Sequence, residues 1–273
     1  MSTTAEPAAT VGAWLHGVVR DADDGVLATV AGMDGVAVRA VRAAGLAAVV
    51  SAVPLDGYGE EALRRNLEDL AWLERVARSH HAVVDALSRT GPVVPARLAT
   101  VHHDDTRVAA MLAARRADLA GALDRLTGRG EWGVKGYVVP GAVPRSEEPT
   151  GEGGAGAAYL RRRRAQLTAR DEGQRIAAEA AAAVHAALAG YAVEARRHTP
   201  QDRRLSGAAT AMVLNGAYLV DAGTVDGFAA LVRELADRRP EIRLELTGPW
   251  PPYSFVDGRP EEQAVHTVRE AAW

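Results

Sequence analysis

The sequence predicts an α+β protein in two parts: an N-terminal α/β domain, and a C-terminal domain of four strands with long helices. Three features predict this. Apolar runs of strand length alternate with segments whose apolar residues recur three and four apart. Glycine and proline clusters punctuate the boundaries between them. The chain has 273 residues, 48% of them hydrophobic, which suits one large or two modest cores.

In the first part, Trp14 to Val19 alternates and reads as a strand. Val36 to Val41 is a second strand, with Val36 and Val38 on one face and Arg39 on the other. Ala43-Ala44-Gly45 turns it back into Leu46 to Val53, a continuous apolar run fit for a buried strand that Pro54 and Gly57 stop. A long helix is expected over Glu60 to Ser88, with a stripe of Leu63, Leu67, Leu70, Leu73, Ala77, Val84 and Leu87, ended by Gly91-Pro92. Val93 to Val101 reads as extended. Asp104 or Asp105 then caps a helix carrying Val108, Met111, Leu112, Leu119 and Leu123, which Gly128 to Gly130 closes.

In the second part, Glu131 to Val139 is a strand with Trp132, Val134 and Val138 on one side. The Pro/Gly/Glu-rich residues 140–156 read as a mobile loop. A helix over Ala157 to Ala189 carries Ile176, Ala177, Ala180, Val184 and Leu188, and Tyr191 to Arg196 alternates as a strand. Pro200 to Gly207 is a polar loop. Thr210 to Val220 is an apolar strand with a possible interruption at Asn215-Gly216. Thr224 to Arg239 is a helix with Val225, Phe228, Val232 and Leu235 inward, and Glu241 to Thr247 alternates cleanly. The order β-α-β-β-α-β is the ferredoxin-like plan, two helices over one face of a four-stranded antiparallel sheet. The predicted domains are residues 11–127, an α/β domain with a helical extension, and 128–256, the ferredoxin-like domain, followed by a tail over 257–273.

Composition removes several function classes. The formal net charge of −3 gives no general attraction to nucleic acid or to an anionic membrane. No cysteine is present, which excludes disulfides, thiolate metal sites and cysteine nucleophiles. No apolar run reaches the ~18 residues of a membrane span. Met1 to Thr10 lacks the basic-then-apolar pattern of a secretory signal, so a cytoplasmic protein is expected.

The chemistry-bearing motifs are weak. Gly128-Arg-Gly130-Glu-Trp-Gly133 matches the dinucleotide pattern but precedes a strand instead of a helix. Gly151-Glu-Gly153-Gly-Ala-Gly156 precedes a helix, yet Pro140, Pro144 and Pro149 separate it from the strand before it. His102-His103-Asp104-Asp105 has ligand chemistry without ligand spacing, because adjacent side chains diverge on a helix or a strand. His80 and His81 lie in the long helix, where His80 borders the apolar stripe as a structural histidine. Asp23-Asp24 lies in a turn. No nucleophile elbow, P-loop or SxxK occurs, and no cofactor is expected.

Two features point to contacts with other proteins. Arg161, Arg162, Arg163 and Arg164 are consecutive and fan around a helix start, as a solvated surface or a dock for an acidic partner. The run LTGPWPPYSF places Trp250, Tyr253 and Phe255 among Pro249, Pro251 and Pro252. Prolines lack N–H groups, so an extended polyproline-like path is expected after a strand ending at Thr247. The three rings either lid the C-terminal sheet or offer a preorganised apolar contact.

That run resembles the C-terminal signature of the gas vesicle accessory proteins of the F/L family (GvpF/GvpL). WLHGVV, GLAAVVSAVP and GEWGVKGYV are similar to that family's strands. GPVVPARLATV resembles a family stretch closer to PLRFGTV, with Leu98 and Ala99 in place of the aromatic and the glycine beside Arg97. The resemblance covers Trp14 to about Phe255. It implies a non-enzymatic protein of gas vesicle formation, associated with the vesicle, its main shell protein and other accessory proteins. The alternatives are a metal-dependent enzyme using His102 to Asp105, or a ligand-sensing regulatory module.

Overall fold

The computed structural model describes residues 10–140, 155–201 and 210–256. Most of the expected loops at 140–156 and 200–207, the second glycine motif and the tail after Val256 lie outside the described residues. The chain forms two compact units. Residues up to Arg129 cluster with those from Pro251 onward, and Gly130–Trp250 form the second unit. The terminal proline run is therefore divided between units, whereas the sequence places it within the second domain.

In the first unit, β1 (Val11–Val19), β2 (Val38–Ala43), β3 (Leu46–Pro54), β4 (Val94–Pro95) and β5 (Val101–His102) form one sheet of order β2-β3-β1-β4, with β5 also on β1. Short helices α1 (Asp24–Thr29) and α2 (Leu55–Tyr58) join α3 (Glu60–Asn66), α4 (Leu70–Ser88), α5 (Asp105–Ala114) and α6 (Arg116–Leu126). Ala47, Val49 and Val53 of β3 pack with residues of α4. On the opposite face, Arg39, which pairs with Val50, reaches Asp105 at the start of α5 with two bonds of 2.6 and 2.7 Å. Strand β3 is thus covered on both sides, which is why Leu46 to Val50 are all buried and why that run shows no alternation.

Strand β1 carries a bulge. Leu15 pairs with Val50 and Gly17 with Val49, so His16 is the extra residue. Beyond it, Leu15 N–H donates to Thr100 O and Ala96 N–H to His16 O, both at 2.9 Å, and the Arg97–Thr100 turn stands between β4 and β5. The extended run expected over Val93 to Val101 is therefore two short strands around a turn.

Two predicted helices are each broken in two. Asp69 caps α4, its Oδ1 accepting from Ala71 N at 2.9 Å and Trp72 N at 3.2 Å. A side chain that satisfies orphan N–H groups starts a new helix where periodicity alone shows a continuous one. The buried face of α4 is consequently Trp72, Val76, His80, Val83, Val84 and Leu87, while Leu70 is 78% exposed. Asp104 caps α5 as expected, accepting from Arg107 N at 2.8 Å, but the helix stops at Arg115 before α6 begins.

The second unit contains β6 (Arg129–Val138), α7 (Ala155–Tyr191), β7 (Glu194–Arg197), β8 (Met212–Asp221), α8 (Val225–Arg238) and β9 (Ile242–Trp250). The element order is the predicted one, and the strand order is β7-β8-β6-β9. Val134, Ala177, Val184, Leu214, Tyr218 and Phe228 belong to its core. Strand β8 runs unbroken through Gly216, where a Cβ would meet the Tyr218 ring hydroxyl at 2.5 Å. Strand β9 also continues past Thr247, through a cis Gly248–Pro249 bond to Trp250, which pairs with Glu131. It tolerates Pro249 because it is the edge strand and because its pairing with β6 shifts register between Thr247 and Trp250.

The β2–β3 hairpin turns through Ala44 (φ 54°) and Gly45 (φ 74°), both left-handed, as a two-residue loop of this twist requires. This conformation costs an alanine about 1–2 kcal/mol. Ala44→Gly is expected to stabilise the protein by about 0.5–1 kcal/mol after the larger unfolded-state entropy is offset. Ala44→Val is expected to destabilise it, both read as shifts in urea midpoint.

Candidate partner-contact site

The three rings singled out in the sequence have three different environments. Trp250 ends β9 in the second unit, is 46% exposed, and donates from Nε1 to Thr247 Oγ1 at 3.2 Å. Tyr253 lies in the first unit, is 39% exposed, and its ring centroid is 6.3 Å from His80 and 6.2 Å from His81. Phe255 is fully buried, and its carbonyl accepts from Arg125 Nη2 at 2.9 Å. Phe255 is therefore a core anchor and unavailable to a partner.

The expected polyproline-like path is also corrected. Tyr253 N–H donates two residues back to Pro251 O at 2.8 Å, and Phe255 N–H three residues back to Pro252 O at 3.1 Å, the bond that makes Tyr253–Phe255 a 3-10 turn. The prolines terminate the edge strand, and the turn that follows seats Tyr253 on α4 of the first unit.

Next to Tyr253 lies a buried polar cluster. Trp14 Nε1–H donates to His80 Nδ1 at 3.1 Å, so His80 carries its proton on Nε2, which donates to Ala96 O at 3.2 Å. His80 is thus the satisfied structural histidine expected from its place on the helix. The His16 ring stacks on His80 with centroids 5.4 Å apart, and its Nε2 meets Ser51 Oγ at 2.7 Å. Burial is the main cause that holds both imidazoles neutral: His16 is pushed down to about 3 and His80 to about 4. Sequence reasoning missed His16. Its only signal was a lone imidazole within a strand of otherwise small or apolar residues.

The four-residue histidine–aspartate motif is dispersed. Asp104 caps α5 and Asp105 pairs with Arg39, while His102 is half-buried in β5 and His103 is exposed. Among the described residues, no three His, Asp or Glu side chains are grouped to hold a metal ion. No described helix is long and apolar enough to cross a membrane.

The arginine run lies near the start of α7. Arg163 and Arg164 are exposed and Arg161 is partly so; the Arg162 side chain lies outside the described residues. No described residue of α7 before Ala177 is buried, and Tyr159, Leu160 and Leu167 are 58%, 66% and 54% exposed. The structure thus places apolar side chains among the arginines, a combination the sequence reading did not single out.

These features define a two-unit α+β protein whose distinctive surfaces are ring and guanidinium groups. The chain belongs to the GvpL/GvpF family: the family model described as gas vesicle synthesis protein GvpL/GvpF matches residues 12–257. It is 44% identical to gas vesicle protein L of Streptomyces sp. (strain CB03234) over 252 residues, 91% of this chain and 93% of that one. Gas vesicle protein F of the same organism is 29% identical over 196 residues, covering 70% of this chain and 81% of that one. The crystal structure of GvpF from Anabaena sp. PCC7120 shares the fold, with a TM-score of 0.62 at 19% identity over 93% of this chain and 99% of that one. GvpF from Microcystis aeruginosa gives 0.59 at 18% identity, covering 90% and 99%.

Phe255→Ala is expected to lower stability by about 3–5 kcal/mol, as for buried aromatics generally, and Trp250→Ala by less than about 1 kcal/mol, in chemical denaturation. The histidine pair predicts a pH dependence. Both residues stay neutral when folded but titrate near 6.5 when unfolded, so between pH 6.5 and about 4 the unfolded chain binds more protons. Their contribution is complete above pH 6.5 and falls with pH below it, at up to about 1.4 kcal/mol per pH unit for each group. Denaturation midpoints followed by tryptophan fluorescence should be flat above neutrality and drop through this window. The drop should be shallower in His16→Gln.

Proposed function

We propose that this protein is a non-enzymatic accessory or minor structural protein of gas vesicles, acting in the cytoplasm by binding the main shell protein and supporting vesicle nucleation or assembly. The observation that carries this reading is the family match across residues 12–257. A gas vesicle wall must present an apolar face to gas, so its shell subunits are prone to aggregate before they assemble. Half-exposed rings suit the task of holding such subunits, because aromatic side chains contribute large area at low entropic cost. Trp250 and Tyr253, exposed at 46% and 39%, are the rings available for that contact. The exposed guanidinium groups of Arg163 and Arg164 on α7, with the partly exposed Arg161 and with Arg162 beside them in sequence, offer a separate surface suited to an acidic partner. The roles of Asp104 and Asp105 in capping and pairing leave the metal-enzyme alternative without support.

Deleting the gene in its host is expected to abolish or deform vesicles by electron microscopy. Trp250→Ala/Tyr253→Ala is expected to capture shell protein at least about tenfold less well than the parent, a loss of about 1.4 kcal/mol. Unchanged capture by the folded double variant rules out contact through these rings.

A further inference from the structure

Strand β9 is an edge of the second unit's sheet: it pairs with β6, and no described strand pairs with its outer side. Val139 N–H donates to Glu241 O at 3.0 Å, so every second residue from Glu241 on, namely Arg243, Glu245 and Thr247, turns its backbone groups toward β6. Ile242, Leu244 and Leu246 turn theirs outward, where Arg239 O takes the Ile242 N–H at 3.1 Å. Side chains alternate in the same way. Ile242, Leu244 and Leu246 pack on the core beneath the helices. Arg243 and Glu245 stand on the other face, with the Arg243 guanidinium 4.9 Å over the Tyr137 ring. Pairing with β6 is regular from Ile242 to Thr247, so this stretch has neither the bulge nor the proline that blunts many natural edges.

We propose that this edge pairs with the same edge of a second copy of the chain, antiparallel and centred on Leu244, so that one sheet runs through both molecules. Outward-turned residues must meet outward-turned residues, so the registers of greatest overlap centre on Arg243, Leu244 or Glu245. Centring on Arg243 sets that residue against itself and Glu245 against Glu241, and centring on Glu245 sets two carboxylates together. Like charges directly opposite one another are destabilising. Centring on Leu244 instead sets Arg243 of each copy opposite Glu245 of the other, Ile242 opposite Leu246, and Leu244 opposite itself. Arg243 and Glu245 already pair within the strand. The second copy closes that pair into a ring of alternating charges and removes no existing contact. Leu244 N–H then meets the Leu244 carbonyl of the other copy, and Leu246 N–H meets the Ile242 carbonyl. Such a two-fold contact is self-complementary and stops at a dimer.

Sedimentation of the full chain in a concentration series up to about 100 µM tests this, and a monomer–dimer equilibrium is expected. Glu245→Arg and Arg243→Glu each set like charges opposite one another and should raise the dissociation constant about tenfold or more. An equimolar mixture of these two variants should recover dimers, because each copy then meets opposite charge. The exchange Arg243→Glu/Glu245→Arg should dimerise like the parent. Circular dichroism confirms that each variant is folded, and Arg243 is exposed, so Arg243→Glu keeps the test valid if Glu245→Arg does not fold. A chain that stays monomeric throughout overturns the proposal and leaves the edge to a strand of another protein. Single reversals that leave the constant unchanged, or a mixture of folded variants that stays monomeric, overturn it too. So do species heavier than a dimer, which would mean that β9 meets a different edge of the next copy. The vesicle role is read separately, by gene deletion.

Discussion

Strand β1 is paired along both edges and covered on both faces, so each of its side chains must serve one layer or the other. Strict alternation would fix that division along the whole strand. The extra residue at His16 resets it. Trp14, His16 and Val19 all face the α4 layer, where Trp14 and His16 meet His80 and Val19 joins the cluster of Val83 and Val84. Leu15 and Val18 instead line a hollow in the first unit together with Met111 and Leu119 of α5 and α6. One bulge thus positions the imidazole pair beside which Tyr253 rests and also the apolar residues on the opposite side of the sheet.

The turn that completes this arrangement carries its own strain. Ala99 has φ 65°, a left-handed position where the GvpF/GvpL resemblance places glycine. Its cost is about 1–2 kcal/mol, and it is tolerated because Thr100 and Leu15 hold the turn on both sides. The departure at Leu98 and Ala99 therefore leaves the turn intact. Leu98 and Ala99 pack against the cluster of Trp14, Tyr58 and Trp72, and the Arg97 side chain is exposed.

Much of the fold was legible because it follows from period. Strand β3 reads as a continuous apolar run since both faces are covered, and α8 reads as a stripe since only Phe228, Val232 and their neighbours face the core. The failures share a different cause. Asp69 starts a new helix through two hydrogen bonds from its carboxylate, which no apolar periodicity registers. Gly248 and Pro249 remain in a strand because that strand lies at an edge, a fact of tertiary position. The rings of the candidate site were legible as a group but not as individuals. Whether Trp250 faces solvent while Phe255 is buried depends on a turn made after the last strand, between residues adjacent in sequence but belonging to different units.

Helix α7 carries the same lesson into function. Its 37 residues span about 55 Å, yet among the described residues burial begins only at Ala177. Before that point, support comes from its own backbone ladder and from side-chain pairs such as Arg175 with Glu172 and Glu179. Such exposed pairs are screened by solvent and too weak to explain a helix of this length through surface charge. Leu160 and Leu167 lie seven residues apart, on one line of the helix, within a segment that also carries Arg163 and Arg164. Burying two leucines is worth about 1.5–3 kcal/mol each, more than all of those ion pairs together. Covering this line would therefore stabilise the segment mainly through its apolar residues.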